Sequence, residues 1–492
     1  MTRAPRALIA TVSVGALVTV LSATIVNVAI PTLGRDLDAS LLEVQWVATA
    51  YLLSLTAVIP LTGWASERFG TRRVWLGSLT AFLCGSILCG VAWSAESLIA
   101  ARVLQGLGGG LVLPVAQAIV VRRSDPRRIG EVLAVIALVN LSGPTLGPVL
   151  GGLLVGEVSW RWLFLINVPL CLVPLVLGLR IVPHEDGLPG RRLDVRGLLL
   201  LPPGLALVTY GLARSAAGGG VDPVAIGTLV AGAGLVAAFV LHARGLGRDA
   251  LLDLGLLADR GFRACATMAA SFGALMFGML FLLPLYWEAV RGRTPLEAGL
   301  LMVPQGIGSL ISLLVVGRLA DRRGSRIVVL VGLVIASLAT IPFVFADEAT
   351  PVAPLLAVLV LRGMGLSAVL TPANAAAFRG LPREAVPYAT SLLTVLLRVG
   401  GSLGVAVVAA VLQSRVGAAL PGTTPEEQID LLHRGAGDVA ATVAPAFGVT
   451  AAVLLVLTVV TIWPARRVPT ATPSVGGGLS RAAAEPAGRA RR

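Results

Sequence analysis

Two groups of charged residues in this chain share one pattern. Gly63, Glu67, Arg68, Gly70 and Arg72 return 254 positions later as Gly317, Asp321, Arg322, Gly324 and Arg326. In each copy a carboxylate stands beside a guanidinium, between two long apolar runs. A carboxylate near the N-terminus of a neighbouring helix is stabilising by ~0.3–1 kcal/mol, and by up to ~2 kcal/mol when partly buried. A charged loop repeated between two long apolar runs suggests two structurally related halves. The simpler alternative, that the arginines only enforce topology, is compatible with it.

Arg102, Arg362 and Arg398 stand inside apolar runs. An arginine at a helix centre costs roughly 2.5–3.5 kcal/mol on insertion scales. Arg102 lies about 6 Å into its run at 1.5 Å per residue, shallow enough to snorkel. Arg362 and Arg398 lie deeper and need partners or water. The same runs hold Asn27, Gln105, Asn140, Gln305 and Asn374, which with the three arginines are the candidate lining of a substrate cavity. Such residues can equally be interhelical glue. No Asp or Glu falls within a run; the nearest are Glu43, Glu131, Glu288, Glu297 and Asp347. A membrane-buried carboxylate is the usual proton carrier, because burial moves its pKa toward neutrality. Glu288, beside Tyr286 and Trp287, is the best substitute and Glu43 the second; a solvated span end is the alternative for both. A cavity without acids predicts neutral or anionic amphiphiles rather than dications.

Gly143, Gly147 and Gly151 recur every four residues, a stripe along which a facing backbone can approach closely. Pro144 and Pro148 remove backbone donors and invite a kink. Gly400, Gly401 and Gly404 look like a counterpart. No nucleophile–base pair, metal-ligand spacing or phosphate-binding loop appears, which argues against an enzyme, a cofactor, a metal and an intrinsic ATP-driven pump.

The elements that position these residues follow from composition. Of 492 residues, 56% are hydrophobic and 13% charged, against roughly 25% charged in a soluble domain. Runs near 20 residues are long enough to cross a hydrocarbon core of ~30 Å. They fall near 7–30, 44–62, 74–93, 98–121, 132–155, 161–182, 197–213, 224–243, 264–287, 298–317, 327–346, 353–378, 389–413 and 442–463, here spans 1 to 14. The first is expected to remain as an uncleaved helix rather than a signal peptide. All 39 basic residues are Arg. Twenty-nine fall on one set of connections and in the tail, seven on the alternate set and three inside spans, which predicts both termini in the cytoplasm. The net charge of +13 reflects these loops, so nucleic-acid binding is not expected. All eight Trp fall at span ends, where indoles anchor at headgroups. The four Cys fall inside spans and read as small buried hydrophobes.

The repeat joins spans 2 and 3, then spans 10 and 11. It predicts an all-α polytopic membrane protein with 14 transmembrane helices. Residues 1–182 form one six-helix bundle and 183–263 a linker with two extra spans. Residues 264–463 form the second bundle and 464–492 a disordered cytoplasmic tail.

At this point the residues resemble the major facilitator superfamily, in particular its 14-helix drug:proton antiporter branch. Besides the repeat, Thr24-Ile-Val-Asn-Val-Ala-Ile-Pro31, Gln45-Trp46, Tyr51-Leu-Leu53, Arg102-Val-Leu-Gln-Gly106, Gly143-Pro-Thr-Leu-Gly-Pro-Val-Leu-Gly-Gly152 and Trp160-Arg-Trp-Leu-Phe-Leu-Ile-Asn-Val-Pro169 carry the likeness, in order. The resemblance implies a two-bundle fold, alternating access and export. It implies that Glu67, with Arg68 and Arg72, latches against the start of span 13, and that Asp321 mirrors it at span 5. It gives span 5 the role of a gate and Arg102 a part in proton transfer. One position departs: the branch usually has an Asp just before the Thr-Ile-Val stretch, and here it is Ser22. The expectation is a monomeric, multi-pass transporter of the cell (inner) membrane, embedded in the lipid bilayer. It would export small amphiphilic compounds of the drug or antibiotic type in exchange for protons. The alternatives are an uncoupled or differently coupled metabolite transporter and a non-transporting membrane sensor.

Overall fold

The computed structural model describes residues 6–39, 41–124, 129, 131–137, 150–151, 154, 159–185, 187, 192–217, 223–379, 381–420 and 437–469. These residues are helical with short connections, and no strand occurs among them. Thirteen helices among them are long and apolar enough to cross a membrane. In order these are Arg6–Ile25, Trp46–Phe69, Thr71–Gly90, Ala95–Arg123, Trp162–Ile181, Val195–Leu212, Pro223–Leu246, Arg260–Ala289, Glu297–Ala320, Ser325–Val344, Val352–Phe378, Arg383–Ala419 and Ala441–Ala465. They correspond to spans 1–4 and 6–14. Most of span 5 lies outside the described residues.

The helices run past the apolar runs, which changes how the charged repeat is read. Thr62–Phe69 and Val303–Arg323 are helical, so each copy is the end of one helix, a break of one glycine, and the start of the next. Gly70 sits at φ 82° and ψ 143°, Gly324 at φ 88° and ψ 141°. A side chain is strained at such φ, so glycine is what lets the chain reverse within one residue. The extension also brings Glu67 and Asp321 inside helices, each within the last turn.

Packing repeats with the sequence. Span 4 packs on spans 1, 2 and 3, and span 6 on spans 1 and 3. Eight spans later, span 12 packs on spans 9, 10 and 11, and span 14 on spans 9 and 11. Close approaches repeat in detail. A Cβ on Gly108 would press on Ser78 and Phe82; one on Gly365 would press on Gly332 and Ala336, which stand 254 positions after that pair. Gly365 follows Gly108 by 257 residues, so Arg362 occupies in the second bundle the place of Gln105 in the first. Spans 7 and 8 pack on each other. Span 7 lies along both span 2 and span 13, with Trp46 stacked on Tyr210 at 5.6 Å.

Capping residues start several helices where the apolar pattern alone is ambiguous. Ser94 and Ser97 form a capping box for span 4, as do Thr294 and Glu297 before span 10. Asp259 accepts from Phe262 N at 2.7 Å and starts span 9 at Arg260, earlier than its apolar run.

Two expectations about small groups fail. Trp75, Trp160 and Trp287 are fully buried, so they are core residues and not headgroup anchors; Trp93 and Trp463 are exposed. The Trp75 indole fills a slot between spans 1 and 6: a Cβ on Gly15 would lie 2.8 Å from it, and one on Gly178 2.6 Å. Among the cysteines, Cys84 is exposed on the bundle surface rather than buried.

Candidate functional site

Two sites emerge, one where the bundles meet at the ends carrying the charged repeat, the other deep between the spans. At the first, the Tyr388 hydroxyl donates a short hydrogen bond to the Glu67 carboxylate. Tyr388 is the third residue of the span 13 helix and is buried. Its ring lies over Gly63, where a Cβ would come within 2.7 Å of Cε1. One turn on, Ser391 Oγ donates to the Ile59 carbonyl at 2.8 Å. The small residues of the repeat thus allow the aromatic ring to approach, and the carboxylate gives it a partner.

The second copy of the repeat faces span 5 at the corresponding place. Arg318 reaches Glu131 at 3.6 Å, a largely exposed pair of low energetic weight. The Asp321 side chain lies outside the described residues. So do Gly143, Pro144, Gly147, Pro148 and Asn140, while Gly151 is helical and buried.

Behind the first copy, Glu185 ties the linker down. It accepts from Arg122 and Arg123, each at 2.8 Å, and from Thr71 at 2.9 Å. Arg72 donates to the Leu179 carbonyl at the end of span 6. Arg68 is half-buried beside Gly187, whose Cβ would run into the Arg68 carbonyl. In the second copy, Arg322 is exposed and Arg326 half-buried. Asp194, at the head of span 7, accepts from Gly197 N at 2.8 Å, Leu251 N at 3.1 Å and His242 Nε2 at 2.8 Å. Burial pushes the Asp194 carboxyl up, but these three donors together hold it below the usual carboxylate range.

The deep site is built around arginines. Arg102 has no solvent exposure. Its Nε donates to the Val47 carbonyl at 3.0 Å, and Nη1 to Gln105 Oε1 at 2.6 Å and Ser22 Oγ at 3.2 Å. Nη2 donates to the Ser22 carbonyl at 3.3 Å. The Tyr51 ring lies 4.1 Å from its guanidinium carbon, a cation–π contact, and the Tyr51 hydroxyl donates to the Thr19 carbonyl at 2.8 Å. Gln105 in turn donates to Ser86 at 2.5 Å. Arg102 therefore does not snorkel; among the described residues it is held in the first bundle by neutral dipoles and the Tyr51 ring.

Arg362 is 3% exposed. It donates to Gln305 Oε1 at 2.9 Å and to the Leu275 carbonyl at 3.4 Å, and its Nε has no partner among the described residues. Arg398 has its guanidinium carbon 6.0 Å from the Phe277 ring and a buried Nε that also lacks a partner among the described residues. Of the other candidates, Asn374 is half-buried on span 12, Glu288 half-buried in the last turn of span 9, and Glu43 exposed in the first turn of the span 2 helix. Asn27 lies in the turn after span 1, and its side chain is outside the described residues.

Tyr388, Ser391 and Glu185 are not among the residues the sequence singled out, and Tyr51 stood there only within a motif, without its role against Arg102. Tyr388 carried a signal, as a polar aromatic opening an otherwise apolar span. Glu185 carried another, as a carboxylate in a connection rich in arginine.

Residues 12–405 match the family model described as Major Facilitator Superfamily. The chain is 39% identical over 393 residues to a Mycobacterium tuberculosis protein named "Multidrug resistance protein B homolog", covering 79% of this chain and 73% of that protein. It is 33% identical over 398 residues to "Putative multidrug resistance protein MdtD" of Serratia proteamaculans, covering 80% and 83%. Among solved structures, that of the human organic anion transporter MFSD10 (TETRAN) aligns with a TM-score of 0.62 over 92% of this chain and 99% of the other. At 18% identity this last likeness concerns the fold alone.

Proposed function

Since the chain belongs to the major facilitator superfamily, as a multi-pass membrane transporter rather than an enzyme, we propose that it exports small amphiphilic compounds of the drug type by alternating access. The observation that carries this reading is the contact between Tyr388 and Glu67, together with Ser391 on Ile59. These join the two bundles at the arginine-rich ends. Arginine asymmetry assigns those ends and both termini to the cytoplasm. The arrangement is then the state closed to the cytoplasm, and Glu67 with Tyr388 is its latch. Gly63, Arg68, Gly70 and Arg72 shape that latch. Gly317, Asp321, Arg322, Gly324 and Arg326 form its counterpart toward span 5, with Arg318 on Glu131. The names of the relatives support drugs as the cargo.

We propose that export exchanges for protons, with Glu288 as the carrier. Transport into proteoliposomes under an imposed pH gradient, wild type against Glu288→Gln, tests it. The expected outcome is a gradient-driven flux that the variant loses. A flux indifferent to the gradient removes antiport. One observation favours that second reading, a facilitator with no ion coupling. Every Asp or Glu in the described spans lies within about a turn of a helix end, and Arg102 meets Ser22 where an acid would pair with it.

A further inference from the structure

Arg398 lies on the face of span 13 that meets the first bundle. Ser391, bonded to Ile59 of span 2, precedes it by seven residues, which is two helical turns and about 10.5 Å. Span 2 runs the opposite way, and eight residues back from Ile59, about 12 Å, is Tyr51. The antiparallel register thus sets Arg398 level with Tyr51. Tyr51 already lies against the Arg102 guanidinium at 4.1 Å. On the other side, Arg398 faces Phe277, two residues from Leu275, whose carbonyl accepts from Arg362. Three guanidinium groups therefore sit at one depth around the junction of the bundles.

Their partners differ in kind. Arg102 uses donors on all three of its nitrogens. Among the described residues the buried Nε of Arg362 and that of Arg398 have no hydrogen-bond partner, Arg362 itself being buried and Arg398 half-buried. No carboxylate from the described residues reaches any of the three. A guanidinium withdrawn from water without a counter-charge is costly. It is also a fork that fits a carboxylate in two parallel hydrogen bonds. Gly400, Gly401 and Gly404 bring span 13 close to span 9 at Ala270, Phe277 and Ala274, and Arg398, beside Phe277 and level with Tyr51 of span 2, stands at the seam between the bundles.

We infer that Arg398 is the anchor for the acidic head of the cargo, with Arg362 and Arg102 adding positive potential, so that the transported class is aromatic or amphiphilic organic anions. This rests on the transport reading and narrows it. A cationic amphiphile would meet three like charges and no acid at this depth, and is selected against by repulsion.

The test uses the full chain in proteoliposomes with two probes, radiolabelled salicylate as an aromatic carboxylate and ethidium as an aromatic cation. Binding of each is measured in detergent as well as flux. Wild type should bind and move salicylate in preference to ethidium. Arg398→Gln should lower the salicylate-to-ethidium ratio at least tenfold, and Arg398→Lys should restore part of it, because charge is kept while the fork is lost. Ethidium flux without salicylate binding overturns the anion site and leaves the transport reading standing. Salicylate binding that depends on Arg398, with no flux of either probe, does the reverse. A ratio unchanged in Arg398→Gln overturns the role of this residue.

Discussion

Tyr388→Phe removes one oxygen atom from the bundle junction and nothing else. The ring stays over Gly63, so packing is kept, while the Glu67 carboxylate loses a short hydrogen bond from a buried hydroxyl. Hydrogen bonds to charged groups are worth about 1.5–3 kcal/mol. At 1.4 kcal/mol per tenfold, the ratio of closed to open forms at this end should fall by about 10- to 150-fold. Ser391 still donates to Ile59, a neutral bond worth about 0.5–1.5 kcal/mol, so closure is weakened rather than abolished. Spin labels at Arg73 and Glu384, both exposed and on opposite bundles, in a background with the four cysteines replaced, report the separation by pulsed electron–electron resonance. The variant should shift population to the longer distance, and Glu67→Gln should do so to a similar or smaller extent. Identical distance distributions in Tyr388→Phe and wild type would refute the latch.

Gly63→Ala should disfavour closure through sterics, because its methyl group would overlap the Tyr388 ring; overpacking costs about 1–3 kcal/mol, and the same labels read it. Gln105→Leu leaves one Arg102 N–H without its acceptor and takes from the Ser86 hydroxyl one of its two amide donors, Asn167 remaining, so thermal unfolding in detergent should show a loss of about 1–3 kcal/mol. Asp194→Ala removes the cap of span 7, at about 0.5–2 kcal/mol, seen as faster amide exchange at 195–200 and at Leu251. Because the folded-state Asp194 carboxyl is held below its unfolded value, its contribution is complete above the unfolded pKa of about 3.9 and is lost as pH falls further through the folded value. Protection at Leu251 N should accordingly persist from pH 7 to 5, and early loss there would contradict the assignment.

Much of the architecture is written in periodicity and charge. The spans were legible because a bilayer demands long apolar helices, and the two halves because the repeat kept its glycines and carboxylates. The helix ends were less so. Glu67 and Asp321 looked like loop residues since charge masks helicity, whereas Gly70 and Gly324 alone make the turn. The deep arginines could be named as costly, but their partners come from distant spans: Val47 and Ser22 for Arg102, Gln305 for Arg362. Hydropathy carries no information on such pairings. Trp75 illustrates the same limit, since its slot is made by Gly15 and Gly178 on two other helices.

Span 7 touches span 2 of one bundle and span 13 of the other. A rocking motion cannot preserve both contacts. In the proposed alternating-access cycle the inserted pair would ride with one bundle and glide over the other, which puts a slip plane along span 7. A hydrophobic wedge lodged in that plane would arrest the cycle without entering the route of the cargo.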